Sequence, residues 1–111
     1  MNDLLNYRVS GNGRPVVLLH GFLESSTMWK HLEFPENIQQ VAIDLPGHGN
    51  SSLQGITSMK EMSNEVQKLL NSLNINDYDV IGHSMGGYVG LELLKNDQRC
   101  AHLLLLNSNF W

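Results

Sequence analysis

The sequence predicts an α/β fold, with a mostly parallel sheet and helices on both faces. Short apolar runs recur along the chain: Pro15-Val16-Val17-Leu18-Leu19, Val41-Ala42-Ile43, Asp79-Val80-Ile81 and Leu103-Leu104-Leu105-Leu106. Runs this short cannot be told from buried helix by period alone, but their spacing and the turn residues after each decide for strand. Between them lie stretches whose apolar residues recur at steps of three and four. The two patterns alternate after residue 15, which requires crossover connections and therefore parallel neighbours.

Taken in order, Leu5 to Val9 reads as a short strand ended by the turn cluster Ser10-Gly11-Asn12-Gly13. Pro15 to Leu19 has no polar side at all, the mark of a strand buried on both faces. A short helix around Ser26 to Leu32 would seat Met28, Trp29 and Leu32. Ser58 to Leu73 sets Met59, Met62, Val66, Leu69, Leu70 and Leu73 on one stripe, and Ser58 with Glu61 forms a capping box at its start. A further helix from Met85 to about Lys95 carries Val89, Leu91, Leu93 and Leu94, an apolar width that predicts deep burial. In parallel sheets the site lies at the carboxyl ends of the strands, where this chain places its glycine-rich loops.

At 111 residues the chain is at most one small domain. Lys and Arg total 7 against 11 Asp and Glu, for a net charge of −4 with no basic run, which argues against nucleic acid or an anionic membrane as partner. No apolar run approaches the length needed to cross a bilayer. The start, Met1-Asn2-Asp3-Leu4-Leu5-Asn6, lacks the charge and apolar core of a signal peptide. The single Cys100 can form no internal disulfide, so a reducing, cytoplasmic location is expected. No metal-ligand spacing is present, and neither a metal nor an organic cofactor is expected.

Gly82-His83-Ser84-Met85-Gly86 reads G-x-S-x-G directly after a strand and before a helix. This order lifts a serine onto a strained turn, and glycines two residues to either side leave room for it. By chance the pattern should arise only about a few hundredths of a time in a chain this long. Ser84 is thus the candidate nucleophile, and the backbone N–H of Met85 would face the carbonyl it attacks. Acyl transfer needs a second preorganised donor from a neighbouring strand-to-helix loop. Phe22, in His20-Gly21-Phe22 after the first buried strand, offers its N–H for that role. Asp44-Leu45-Pro46-Gly47-His48-Gly49-Asn50-Ser51 forms a tightly turned loop near the same mouth.

These three motifs, in this order, resemble those of the α/β-hydrolase superfamily, and the resemblance runs from about Tyr7 to Leu106. It implies Ser84 as nucleophile, Phe22 and Met85 as oxyanion-hole residues through their backbone N–H groups, and Gly82 and Gly86 as steric spacers of the elbow. It also implies a catalytic acid and then a histidine later in the chain than the serine. Asn107-Ser108-Asn109-Phe110-Trp111 supplies no carboxylate. Residues 1–111 are therefore expected to be the N-terminal part of a single α/β-hydrolase domain, an incomplete core without the acid and histidine segments. None of the five histidines reads as a base: His20 and His48 should hold loop backbone, His83 should point away from Ser84, and His31 and His102 sit at surface positions. Asp44 is expected to cap its loop, Asp79 to be solvated at the far end of its strand, Trp29 and Phe34 to pack, and Cys100 to fill the core.

A serine at the elbow argues against haloalkane dehalogenases and epoxide hydrolases, which run this fold with an aspartate. Ser84-Met85-Gly86-Gly87-Tyr88 also lacks the arginine that follows the paired glycines in menaquinone-pathway synthases, which weakens a lyase reading. The expected activity is hydrolysis of a carboxylic ester or thioester, a small-molecule acyl substrate, through an acyl-enzyme. The chain would be the front part of a longer enzyme, or half of a split enzyme completed by a complementing chain or a swapped copy. The alternatives are a non-catalytic remnant that binds small acyl ligands or a protein partner, or a lyase of the same fold.

Overall fold

The continuous apolar runs take the centre of the sheet. Val17, Leu18 and Leu19 are wholly buried, as are Val41 and Ile43, because strands covered on both faces have no side left for polar residues. The computed structural model describes residues 4–51 and 58–106. Its elements are β1 (Tyr7–Ser10), β2 (Arg14–Leu19), a 3-10 helix (Ser26–His31), β3 (Ile38–Ile43), α1 (Met59–Ser72), β4 (Tyr78–His83), α2 (Met85–Asn96) and β5 (Cys100–Leu106). The five strands form one sheet in the order β1-β3-β2-β4-β5, with β1 antiparallel to β3 and the other pairs parallel. The expected Asn107 to Trp111 stretch lies outside the described residues.

Two cores sandwich the sheet. On one face Val17, Leu19, Val41, Ile43 and Val80 meet Val66, Leu69 and Leu70 of α1 and Val89 and Leu93 of α2. On the other, Val16, Leu18 and Ala42 meet Trp29, flanked by Met28 and Phe34. The predicted short helix is thus a 3-10 turn pair, capped by Ser25, whose hydroxyl accepts from Thr27 N–H. α1 starts as its capping residues require, with the Ser58 hydroxyl accepting from Glu61 N–H at 3.0 Å.

Three expectations need correction. β3 begins at Ile38, earlier than the apolar run, because Gln39 pairs with β2 and Gln40 with both neighbouring strands, and backbone bonding there does not need apolar side chains. α2 is not buried all round: Val89 and Leu93 face the sheet, whereas Leu94 is 43% exposed. Leu104 of β5 is 55% exposed, since among the described residues β5 has a neighbour only on the β4 side.

Asp79 is likewise not a merely solvated carboxylate. Arg14 Nε donates to it at 2.7 Å and Arg14 Nη1 to Asp77 at 2.7 Å, while His102 Nδ1 lies 2.9 Å from the other Asp79 oxygen. This cluster ties β2, β4 and β5 together at the end of the sheet remote from Ser84. The Arg14 bonds hold the Asp79 pKa down at about 2. A second, more buried tie sits at the base of β4, where Tyr78 donates to Asp97 at 2.8 Å and Arg99 pairs with the same carboxylate at 2.9 Å. Burial pushes the Asp97 pKa up, but the bonds from Arg99 and Tyr78 outweigh it and leave the carboxyl below its ordinary range.

α2 reaches the sheet through glycine. A β-carbon on Gly86 would clash with the Leu19 carbonyl oxygen and lie 2.7 Å from that of His20, both backbone atoms that cannot move aside. One on Gly90 would meet chiefly the Leu103 Cδ1, a flexible side-chain end, at 2.7 Å. We therefore expect Gly86→Ala to cost roughly 3 kcal/mol and Gly90→Ala no more than about 1 kcal/mol in urea denaturation; equal losses would refute the backbone-contact account. A depressed carboxyl contributes stability above its unfolded pKa and loses it as pH falls through the folded value. Asp79→Asn should thus lower the urea midpoint at about pH 6, with the deficit vanishing as pH falls to about 2. A deficit that is constant across this range would contradict the ion-pair assignment.

Candidate active site

β2 and β4 are adjacent and parallel, with Leu19 opposite Gly82. They leave the sheet toward opposite faces, β2 toward the 3-10 helix and β4 into α2. Chains that part in this way open a crevice between the carboxyl ends of the two strands. The His20-Gly21-Phe22 segment and Ser84 lie on its two sides.

Ser84 stands between β4 and α2 with φ 54° and ψ −114°, a conformation that a residue with a β-carbon adopts only at a cost of ~1–3 kcal/mol. The tightness of the turn explains its flanking glycines. A β-carbon on Gly82 would come within 2.5 Å of the Gly86 carbonyl oxygen and 2.7 Å of Gly87 Cα. With Gly86 pressed on the end of β2, the elbow and the segment after β2 become immediate neighbours. The β-carbon position of Gly21 is 3.2 Å from Ser84 Cβ, so the structure brings together two of the three predicted motifs at atomic contact. Met85 is 7% exposed at the first turn of α2, whereas Phe22 is 65% exposed and meets His48 edge-on with ring centroids 5.7 Å apart.

The third motif joins them through His20. This ring is wholly buried, and its Nε2 accepts from Leu45 N–H at 2.9 Å. Because a backbone N–H can only donate, the proton sits on Nδ1, which donates to the Gly21 carbonyl at 2.8 Å. Burial pushes the His20 pKa down and favours this neutral tautomer. Asp44 organises the same loop: it accepts from Ser26 N–H at 2.7 Å, Asn6 Nδ2 at 2.8 Å and Asn50 N–H at 3.1 Å. Burial raises its pKa and those bonds more than offset the rise, so the carboxyl stays ionised well below the ordinary range. His48 Nδ1 donates to the Pro46 carbonyl at 3.0 Å. His20, His48 and Asp44 thus spend their polar atoms on backbone, as their loop-holding roles require.

The other candidates fall elsewhere. His31 is exposed on the 3-10 helix and His102 joins the remote cluster with Asp79. Trp29 is buried among Val16, Leu18 and Ala42, with its indole N–H lacking a partner among the described residues. Glu24 has no place in the motifs, yet its Oε1 lies 2.9 Å from His83 Nδ1 and accepts from Gly21 N–H at 3.0 Å. The only signal for it in the sequence is a carboxylate three residues past Gly21, at the carboxyl end of a strand. Beside these residues lies an open cleft of ≈ 470 Å³ bordered by Phe22, Leu23, Pro46, His48 and Met62. Among the described residues no three His, Cys, Asp or Glu side chains converge on a possible metal site, and no helix is long and apolar enough to cross a membrane.

This arrangement recurs in known proteins. The dihydrolipoyllysine-residue acetyltransferase component of the acetoin cleaving system of Pseudomonas putida is 40% identical over 101 residues, covering 86% of this chain and 27% of its own. The 2-succinyl-6-hydroxy-2,4-cyclohexadiene-1-carboxylate synthase of Klebsiella pneumoniae is 36% identical over 86 residues, 72% of this chain and 34% of its own. A thermophilic esterase from Thermogutta terrifontis superposes with a TM-score of 0.87 at 32% identity, over 95% of this chain and 40% of the esterase. The chain thus spans about a third of the length of the curated relatives it matches. A family model described as alpha/beta hydrolase fold matches residues 14–111, and with the elbow, the crevice and the parallel sheet in place, the chain belongs to the α/β hydrolase fold family.

Proposed function

We propose that this chain carries the nucleophile segment of a serine hydrolase acting on a carboxylic ester or thioester. The observation that supports this most is Ser84, held at φ 54° on the turn between β4 and α2, at the carboxyl end of the sheet beside the Gly21 segment. Ser84 Oγ would attack the acyl carbon while the N–H groups of Phe22 and Met85 stabilise the oxyanion. Collapse of the tetrahedral intermediate breaks the carbonyl carbon's bond to the alkoxide or thiolate and leaves an acyl-enzyme. Water then cleaves this ester to release the acid and regenerate Ser84. No metal or organic cofactor enters this sequence of steps. The esterases among the solved structures favour the same chemistry.

The base and the acid are proposed to follow residue 111 in a longer protein, given that the chain covers 31% and 34% of two of its relatives. A complementing chain or a swapped copy is the other way to supply them. The similarity to the Klebsiella synthase supports a lyase as second reading, against which stands Tyr88 at the position after the paired glycines. A cytoplasmic setting suits the lone Cys100, a buried thiol whose pKa burial pushes up to about 11 and which is therefore unreactive as a thiolate.

The protein isolated from its own cells should be labelled by a fluorophosphonate at Ser84, and Ser84→Ala should abolish labelling while leaving the circular dichroism spectrum unchanged. Turnover of p-nitrophenyl esters should fall by at least about 10³-fold in the same variant. Folded protein that neither labels nor hydrolyses any ester would establish the remnant instead. The intact mass of that protein should exceed the 12.5 kDa of this chain; a mass equal to it, with no co-purifying chain, would overturn the longer-enzyme proposal.

A further inference from the structure

Little apolar packing holds the segment that would supply the second oxyanion donor. Phe22 is 65% and Leu23 81% exposed, and open clefts of ≈ 570 and ≈ 470 Å³ flank the turn. The turn itself is under strain: Glu24 N–H donates to the Gly21 carbonyl at 3.1 Å, and Leu23 within it takes φ 63°. A left-handed leucine costs ~1–2 kcal/mol, so something outside the turn must fix its shape. His20 ties it to Leu45 and the Phe22 ring touches His48, but both lead to the Asp44 loop. Glu24 makes a polar tie from this turn to the elbow.

We infer that Glu24 is a positioning residue, whose Oε1 clamps the Gly21 N–H of the oxyanion turn to the His83 ring of the elbow and so sets Phe22 N–H against Ser84. One oxygen serves both partners, at 3.0 Å from Gly21 N and 2.9 Å from His83 Nδ1. The ionised carboxylate can only accept, so His83 carries a proton on Nδ1 and donates it. The convergence is tight: a β-carbon at position 21 would overlap Glu24 Oε1 and lie 2.9 Å from His83 Nδ1 and 3.2 Å from Ser84 Cβ, so that the Glu24 carboxylate would have to give way. His83 is thus no bystander pointing clear of the site. It anchors the neighbouring loop, and its ring is held by the same β4 backbone that carries the serine. The clamp rests on the serine-nucleophile reading only for its effect on reactivity; the geometry stands without it.

The test combines amide and imidazole 15N spectra of the complete natural protein, with any co-purifying chain, with the rate of fluorophosphonate labelling. In the wild type His83 Nδ1 should be protonated; an unprotonated Nδ1 would overturn the clamp without any variant. Glu24→Ala should move the amide signals of Gly21, Phe22 and Met85, whereas Glu36→Ala, at an exposed position before the amino end of β3, should leave them in place. Labelling should slow by about tenfold in Glu24→Ala and by no more than that in His83→Ala, and the double variant should be no slower than Glu24→Ala, because His83 acts through that carboxylate. Glu24→Gln, which keeps an acceptor oxygen, should restore the amide positions and most of the rate. Unmoved Phe22 and Met85 amides in Glu24→Ala, or multiplicative losses in the double variant, would overturn the proposal. Should the wild type fail to label while the amides respond as expected, the serine-nucleophile reading falls and the clamp stands.

Discussion

The approach of Gly86 to the end of β2 is the constraint on which the site end of this molecule depends. With a hydrogen in place of a methyl group, α2 can begin directly against the Leu19 and His20 carbonyls. That contact sets the turn radius at Ser84, where a β-carbon on Gly82 would in turn lie 2.5 Å from the Gly86 carbonyl oxygen. A wider turn would move Ser84 away from the crevice between β2 and β4. The central sheet supplies the rigid reference: Val17, Leu19, Val41 and Ile43 have no exposed surface, so the strand ends cannot drift to relieve the crowding.

The loops around the serine obey a different physics from the sheet beneath them. They bury little apolar surface and are shaped by polar side-chain atoms that bond to backbone and to one another. His20 is the centre of this arrangement, since one ring accepts from Leu45 and donates to Gly21. Asp44 does the same for three segments at once, fixing Asn6, Ser26 and Asn50. Buried polar groups satisfied this fully specify one conformation, because any rearrangement leaves a donor or acceptor without water or partner. The opposite end of the sheet is secured by Arg14, Asp77, Asp79 and His102, in part exposed, where ion pairs align strands but shape no cavity.

Much of the fold was legible because burial leaves its pattern in the sequence. The apolar runs at Val16 to Leu19 and Val41 to Ile43 found the central strands, and the stripe from Met62 to Leu70 found α1. The pattern failed where backbone pairing rather than burial defines the element, as at Gln39 and Gln40 of β3. It also failed at Leu94 and Leu104, where an apolar residue stands on an exposed surface. At the site, glycine spacing made the elbow readable, since close approach leaves a residue-type signature. Glu24 left none. Its role depends on meeting His83 across 59 positions of sequence, and no local rule ties one carboxylate to one histidine at that separation.

The same loop architecture separates two things that evolution would otherwise have to change together. The proposed oxyanion donors are main-chain N–H groups, whereas the side chains at the same positions are an exposed phenylalanine and, beside it, a leucine open to solvent. Replacement of either ring or aliphatic group alters what the ≈ 470 Å³ cleft admits and leaves the peptide dipoles where they are. With the donors acting as proposed, selectivity could drift along one lineage after another while the main-chain geometry is inherited intact.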